Sequence, residues 1–254
     1  MRKNKLKIII NLLFVIGICL ISFPIIKNTI TIVKFQKTKI VIKEELPVVK
    51  PNERIILPTI ESYLTVSSEN LGSAIGELDI PSQKIKTPIF AGLNNQQMLF
   101  GAGAMYPERN VLKDNMVLLG HHLSMTELLL GNIQHLEVND SINVTYLTNK
   151  LKYRVIKKKI VSETNLKVLE STNVPQLTLI TCDKPELTDK RIIVTAELVG
   201  HEEHEKQKTL QNTKDNVTLN KKILRRSIVK HSFIPIFIMF VVLIIGSYVI
   251  WRYV

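Results

Sequence analysis

Apolar residues fall along this chain in three regimes. Residues 8–26 form a nearly unbroken apolar run, and residues 233–250 form a second. Each has the roughly 20-residue length that a helix needs to cross the hydrocarbon core of a bilayer. Between them the apolar runs are short and bounded by turn residues, a spacing that belongs to strands. Residues 74–80, 85–90, 115–119, 141–147, 151–160, 177–181 and 191–198 read as strands. In the last of these Ile192, Val194 and Ala196 alternate with Ile193, Thr195 and Glu197, and Thr148-Asn149-Lys150 marks a hairpin turn. Helical patterns are few and short: near residues 59–64, over 96–100, and over 124–135 with Gly131 interrupting. Residues 71–200 are thus one mainly β domain of about 130 residues, large enough for a single core. Many short strands at this spacing predict a closed or nearly closed barrel.

The flanks set the organisation. Arg2, Lys3, Lys5 and Lys7 precede the first apolar run. A cleavable signal would need a shorter apolar core and a small-residue cleavage site, which Ser22-Phe23-Pro24-Ile25-Ile26 does not supply. The run therefore reads as a retained anchor. Tyr248, Trp251 and Tyr253 close the second run as an interfacial aromatic belt. The expected order is a cytoplasmic tail (1–7), a transmembrane helix (8–26) and a stalk (27–70). The compact domain (71–200), a polar and basic linker (201–232), a second transmembrane helix (233–250) and a short tail (251–254) follow. A basic N-terminus held in the cytoplasm puts the domain outside and both termini inside. Lys221, Lys222, Arg225, Arg226 and Lys230 run against the positive-inside tendency, which weakens for long translocated domains. The formal net charge is +12. Juxtamembrane cations beside anionic lipid headgroups account for it, at roughly 1 kcal/mol per residue. Two anchors and few aromatics near the basic clusters set nucleic acid aside as a partner.

Candidate chemistry starts from two cysteines. Cys19 lies inside the first apolar run and Cys182 at the end of a strand, so the compact domain has no internal disulfide. An unpaired thiol in an oxidising compartment points to a reactive role. His121 follows one strand end, and Arg191 opens the strand after Cys182. If those two strands pair as an antiparallel hairpin, thiol and guanidinium reach the same rim, held by rigid elements. A free thiol, with a pKa of about 8.5, is mostly protonated at neutral pH, and a nearby cation favours the thiolate. Arginine cannot act as a base but can hydrogen-bond an oxyanion. Histidine can move the proton of a leaving or incoming amine. The trio fits acyl transfer through a thioester.

Each residue has a plainer reading. A strand-end cysteine taken alone is more often buried packing than a nucleophile. His122 competes with His121. Lys190 competes with Arg191, but its point charge matches an oxyanion less well than a planar guanidinium. Thr181 either offers its N–H or hydroxyl to the oxyanion or simply packs. His201 and His204 are spaced for a metal pair on a helix, yet no further ligands cluster there, and a solvated linker is the better reading.

Thr178-Leu179-Ile180-Thr181-Cys182, with Gly120-His121 upstream and Arg191-Ile192-Ile193-Val194 downstream, resembles the sortases. These are membrane-anchored cysteine transpeptidases of Gram-positive bacteria that attach proteins to the cell wall. Cys182 lies 61 residues after His121, and Arg191 nine after Cys182. The resemblance covers about residues 75–198, including Gly76-Glu77-Leu78-Asp79-Ile80-Pro81 and Gly101-Ala102-Gly103-Ala104-Met105. It implies an eight-stranded barrel, with Cys182 as nucleophile, Arg191 as oxyanion partner and His121 as proton carrier. His122 is then left at the rim within reach of substrate. The implied reaction cleaves a Leu-Pro-x-Thr-Gly signal on surface proteins between Thr and Gly and transfers the acyl group to an amine of a peptidoglycan precursor. Residues 161–175 correspond to the family's substrate loop, where Val168 and Leu169 either line a pocket for the substrate leucine or pack in the core.

Two departures matter. A calcium-binding member of class A carries acidic residues before the histidine. Here the segment 105–114 contains Arg109 and Lys113, poor neighbours for a cation that wants several oxygen ligands. No metal and no cofactor is expected. A C-terminal anchor is more usual in the pilin-polymerising class C enzymes, whose aspartate-proline-aromatic lid is missing from residues 27–73. The reading is a class A-like enzyme. Its rivals are a class C enzyme using a pilin lysine, and a catalytically silent membrane-anchored module that docks wall proteins.

Overall fold

The computed structural model describes residues 2–67, 71–125, 127–203, 216–217 and 221–253. In chain order its strands are β1 (Ile40–Val41), β2 (Gly76–Ile80), β3 (Ile85–Ala91), β4 (Ala102–Ala104), β5 (Asn115–Leu119), β6 (Ser141–Tyr146), β7 (Asn149–Ser162), β8 (Gln176–Cys182), β9 (Lys190–Glu203) and β10 (Asn216–Val217). Strands β2 to β9 close into an eight-stranded barrel in the order β2-β3-β4-β5-β8-β9-β7-β6. This is the mainly β barrel that the alternation predicts. In β7 Leu151, Tyr153 and Val155 are buried while Lys152, Arg154 and Ile156 are exposed, the period of two expected of a half-buried strand. Strand β8 is apolar and almost wholly buried. It lies between β5, to which it runs parallel, and β9, to which it runs antiparallel. Leu78, Ile142, Val144, Leu179 and Val194 sit at the centre of the core inside the barrel.

Local details depart from the sequence pattern in two places. Ala102–Ala104, which the alternation does not mark as a strand, is strand β4, parallel to β3 and antiparallel to β5. A Cβ on Gly103 would come within 2.7 Å of the Gly92 carbonyl oxygen, so the close backbone approach itself requires glycine. The helix expected over residues 124–135 is reduced to a 3-10 turn, Gly131–His135. Leu129 has φ of 55° and bridges to His122, a left-handed conformation that no helix can propagate through. The shorter helices agree better. α3 (Ile60–Thr65) begins at a capping box made by Thr59 and Ser62, and α4 (Asn95–Met98) at Asn94, whose side chain accepts from the Gln96 and Gln97 N–H groups.

The ends of the chain are paired with each other. α1 (Arg2–Ile21) and α2 (Phe23–Lys37) meet at a 42° bend. α5 (Lys221–Ile228), a short π-helical turn (Val229–Phe233) and α6 (Ile234–Tyr253) form one continuous helix. Its span Leu224–Tyr253 is long and apolar enough to cross a membrane, and α1 with α2 passes the same test only as a bent pair. Hydrogen bonds link Lys7 to the Trp251 carbonyl, Asn11 to Ser247 and Thr29 to Ser232. Partner numbers fall as residue numbers rise, so the two ends form an antiparallel hairpin. In an apolar medium each such interhelical bond is worth about 1 kcal/mol.

Residues 27–67, most of the expected stalk, carry packed structure. Ile32, Phe35, Ile40, Tyr63 and Val66 are buried in a second core with Phe90, Phe100, Met125, Leu128 and Leu224. Phe35, Tyr63 and Phe100 pack ring against ring. Farther along, Asn52 accepts from the Leu93 N–H and donates to the Met105 carbonyl, strapping the segment onto the barrel.

Candidate active site

Three strand ends converge on one rim. Strands β5 and β8 pair up to Leu119↔Ile180. Just beyond, the Gly120 N–H donates to the Ile180 carbonyl at 3.1 Å, and the Thr181 hydroxyl donates to the Gly120 carbonyl at 2.8 Å. These bonds bring His121 alongside Cys182. A Cβ on Gly120 would lie 2.7 Å from Leu130 Cγ, so the turn leading to the two histidines leaves room for nothing larger. On its other side Cys182 is the register partner of Arg191. His121, Cys182 and Arg191, gathered from different parts of the sequence, therefore share one end of the β5–β8–β9 surface.

The histidines differ in their bonding. The His122 ring, through Nδ1, lies 2.9 Å from the Cys182 carbonyl oxygen, which fixes the backbone that carries the thiol. His121 is buried, and its Nε2 has no hydrogen-bond partner. Asp183 Oδ1, beside the thiol, is in the same condition. Buried polar atoms without partners are rare, and each calls for an explanation. Here two flank one cysteine. Burial pushes the His121 imidazole down to about 4. Burial pushes the Cys182 thiol above its ordinary value; the Arg191 guanidinium pulls it back, while Asp183 and Glu163 push it further up. The expectation that a cation nearby tips the thiol toward thiolate is thus outweighed by desolvation. At neutral pH the pair rests as thiol and neutral imidazole.

Arg191 is half-buried and heavily engaged. It donates to Glu163 at 2.5 Å, to the Thr188 carbonyl at 2.8 Å and to the Lys190 carbonyl at 2.9 Å. Sequence reasoning missed Glu163, Thr188 and Asp183; the pairing of β7 with β9 brings Glu163 to the arginine across 28 residues, whereas the Thr188 carbonyl lies only three residues away. Thr181 is buried, and its hydroxyl is occupied by the Gly120 carbonyl. It ties β5 to β8 and has no free hydroxyl to offer. His122 is likewise buried rather than open at the rim.

Val168 and Leu169 lie on a 3-10 turn, Leu166–Leu169, and pack partly buried against Val117, Ile180 and Ile193. Ile180 stands two residues before Cys182 in β8, and Ile193 two after Arg191 in β9, so both share the face of the strand that carries those residues. An apolar surface therefore adjoins the thiol. Arg109 fastens this turn: it donates to the Leu169 carbonyl at 2.9 Å, stacks 3.8 Å over the Tyr106 ring and pairs with Asp114. Among the described residues no group of three or more His, Cys, Asp or Glu is placed to hold a metal ion. His201 bonds Asn149, and His204 lies outside the described residues.

A closed eight-stranded barrel with cysteine, histidine and arginine at one rim defines a class, and the chain belongs to the sortase family. The Sortase domain signature matches residues 78–199. Sortase A of Listeria monocytogenes is 32% identical over 207 residues, spanning 78% of this chain and 92% of that protein. Sortase A of Streptococcus agalactiae is 33% identical over 156 residues, spanning 54% and 61%. The crystal structure of Listeria monocytogenes sortase A is similar with a TM-score of 0.50 at 34% identity, covering 52% of this chain and 92% of that one.

Proposed function

We propose that this protein is a class A-like cysteine transpeptidase that cleaves a Leu-Pro-x-Thr-Gly signal between Thr and Gly and joins the new acyl end to an amine of a cell-wall precursor. The observation that carries the reading is the convergence of Cys182, His121 and Arg191 beside the apolar surface of Ile180, Val168 and Leu169. His121, neutral at rest and with Nε2 unpartnered, takes the thiol proton as the sulfur attacks the threonine carbonyl carbon. The carbonyl electron pair moves to oxygen, and a guanidinium N–H of Arg191 donates to that oxyanion. As the intermediate collapses, the C–N bond breaks and the protonated imidazole gives its proton to the departing glycine amine. A thioester on Cys182 remains. The acceptor amine then attacks it, His121 takes the amine proton, and the thiolate leaves with that proton returned. One peptide bond is broken and one is made, with no redox change.

Burial suits this sequence of steps. A neutral pair avoids a charged thiolate in a partly desolvated site, and charge develops only where Arg191 can meet it. The apolar surface fits the leucine of the signal. Residues 8–26 and 233–250 would anchor the enzyme, with both termini on the cytoplasmic side and the barrel outside. The test uses the full chain in mild detergent with a quenched Leu-Pro-x-Thr-Gly peptide and an amine acceptor, with mass spectrometry of the products. A ligated product that vanishes in Cys182→Ala is the expected result. Cleavage or ligation that survives this substitution, or none with the folded wild type, overturns the proposal.

A further inference from the structure

The helix that leads into α6 has two unlike sides. Leu224, Ser227 and Ile228 turn toward the barrel: Leu224 and Ser227 are buried, and Ile228 packs against the second core. The Ser227 hydroxyl and the His231 ring both bond Glu127 Oε1, at 2.5 and 3.1 Å. The helix is thereby clamped to the loop that follows the two histidines. The other side is free. Arg225, Arg226, Val229, Lys230 and Ile234 line one open surface groove, and the three cations are exposed. Among the described residues no acidic side chain lines the groove. Glu127, on the docked side, feels the charge of Lys230.

The place of the groove matters as much as its charge. Its lower wall, Ile234, is the first residue of α6, and no charged residue follows until Arg252. The groove thus sits where the chain passes from water to hydrocarbon, cationic above and apolar below. We infer that Arg225, Arg226 and Lys230 form a binding site for the phosphate of an anionic membrane phospholipid, whose acyl chain lies along Val229 and Ile234. Two guanidinium forks and an ammonium within about a turn and a half of helix can surround a phosphate with charge-assisted hydrogen bonds. The docked side of the helix fixes their direction, which separates a defined site from general attraction to an anionic surface. The site does not depend on the transfer reaction, so Cys182→Ala is expected to bind lipid as the wild type does.

The full-length protein in neutral detergent is titrated with phosphatidylglycerol or phosphatidylcholine, and retained lipid is counted by native mass spectrometry. The test variant is Arg225→Gln with Arg226→Gln and Lys230→Gln. The control, Lys37→Gln with Lys39→Gln and Lys43→Gln, removes the same charge from other exposed residues. Each cation near a lipid surface is worth roughly fivefold, so the test variant is expected to lose phosphatidylglycerol affinity by about a hundredfold, with the control much less affected. Equal losses in both variants would make the attraction diffuse and overturn the site. Equal retention of phosphatidylcholine, or displacement by inorganic phosphate at matched concentration, overturns it as well.

Discussion

Cys182 and Arg191 are register partners on the last rung of the β8–β9 ladder, yet the Arg191 guanidinium is held by Glu163 and two backbone carbonyls. The backbone sets the distance between the two residues, and the side chain has a choice of partners. Exposed ion pairs contribute about 0–1 kcal/mol, and half of the Glu163 side chain is exposed. In the proposed reaction, exchange of Glu163 for a developing oxyanion would therefore be cheap.

Replacing Arg191 with lysine keeps the charge and removes the planar fork. Loss of one oxyanion donor costs on the order of a hundredfold to a thousandfold in kcat. Steady-state kinetics of Arg191→Lys should show such a fall in kcat with KM little changed. A variant in which KM alone rises would assign the arginine to ground-state binding instead.

Glu163 raises the thiol and occupies the guanidinium that lowers it. Glu163→Gln removes the first effect and frees Arg191 to act. The pH dependence of Cys182 alkylation by iodoacetamide should move to lower pH. An unmoved or raised midpoint would show that Glu163 does not act on the thiol.

His121 carries a stability signature. Its folded value lies near 4 against 6.5 for the free imidazole, so the unfolded chain binds the extra proton first. Stability should be intact above about pH 6.5, decline as pH falls, and level off below about 4. The full loss is on the order of 3 kcal/mol. Chemical denaturation across this range should show the slope in the wild type and a flatter curve in His121→Gln. An equal slope in the variant would place the titrating group elsewhere.

The turn bearing Val168 and Leu169 hangs on one arginine. Arg109→Met removes the bond to the Leu169 carbonyl and the pairing with Asp114. KM for the sorting peptide should rise by about tenfold, the equivalent of 1.4 kcal/mol, with a smaller change in kcat. Because a guanidinium sits where a cation would need oxygen ligands, calcium or a chelator should leave the wild-type rate unchanged. Calcium activation would refute that account.

Glu127 joins the loop after the histidines to the C-terminal helix. Glu127→Ala in the full chain leaves the Ser227 hydroxyl and the His231 ring without their shared partner. The expected cost is about 1–3 kcal/mol of stability, together with faster hydrogen exchange in residues 123–130. Unchanged exchange there would mean the contact does not hold the loop.

How much of this was legible depended on how local each cause is. Strand ends can be read, because alternation and turn residues act over a few positions; hence the sequence puts Cys182, His121 and Arg191 at strand ends, able to share one rim if the strands pair. Strand β4 cannot. Gly103 has no intrinsic preference for a strand and is one because the Gly92 carbonyl approaches so closely. The helix over 124–135 failed at Leu129, whose left-handed backbone is imposed by its bridge to His122. Glu163 and Glu127 were invisible because their partners lie 28 and 104 residues away. Burial was the other blind spot. A histidine in the sequence carries no sign of its desolvation, and desolvation reverses the resting charge expected for the pair.

The antiparallel pairing of the two chain ends has a mechanical consequence. A globule on a single flexible leash explores a volume, and its working rim points in any direction. With both ends in a bilayer, as proposed, a globule seated on a two-legged post, with one leg bolted to the loop behind its histidines, would rotate and drift in the plane of the bilayer but keep its rim at one height. Encounters then become a two-dimensional search at a fixed altitude. Under the proposed function, proteins presenting a cleavable segment at that altitude would be met repeatedly, while the same segment held higher or free in solution would be passed over. Selectivity of this kind resides in the scaffold, before any side chain touches the peptide.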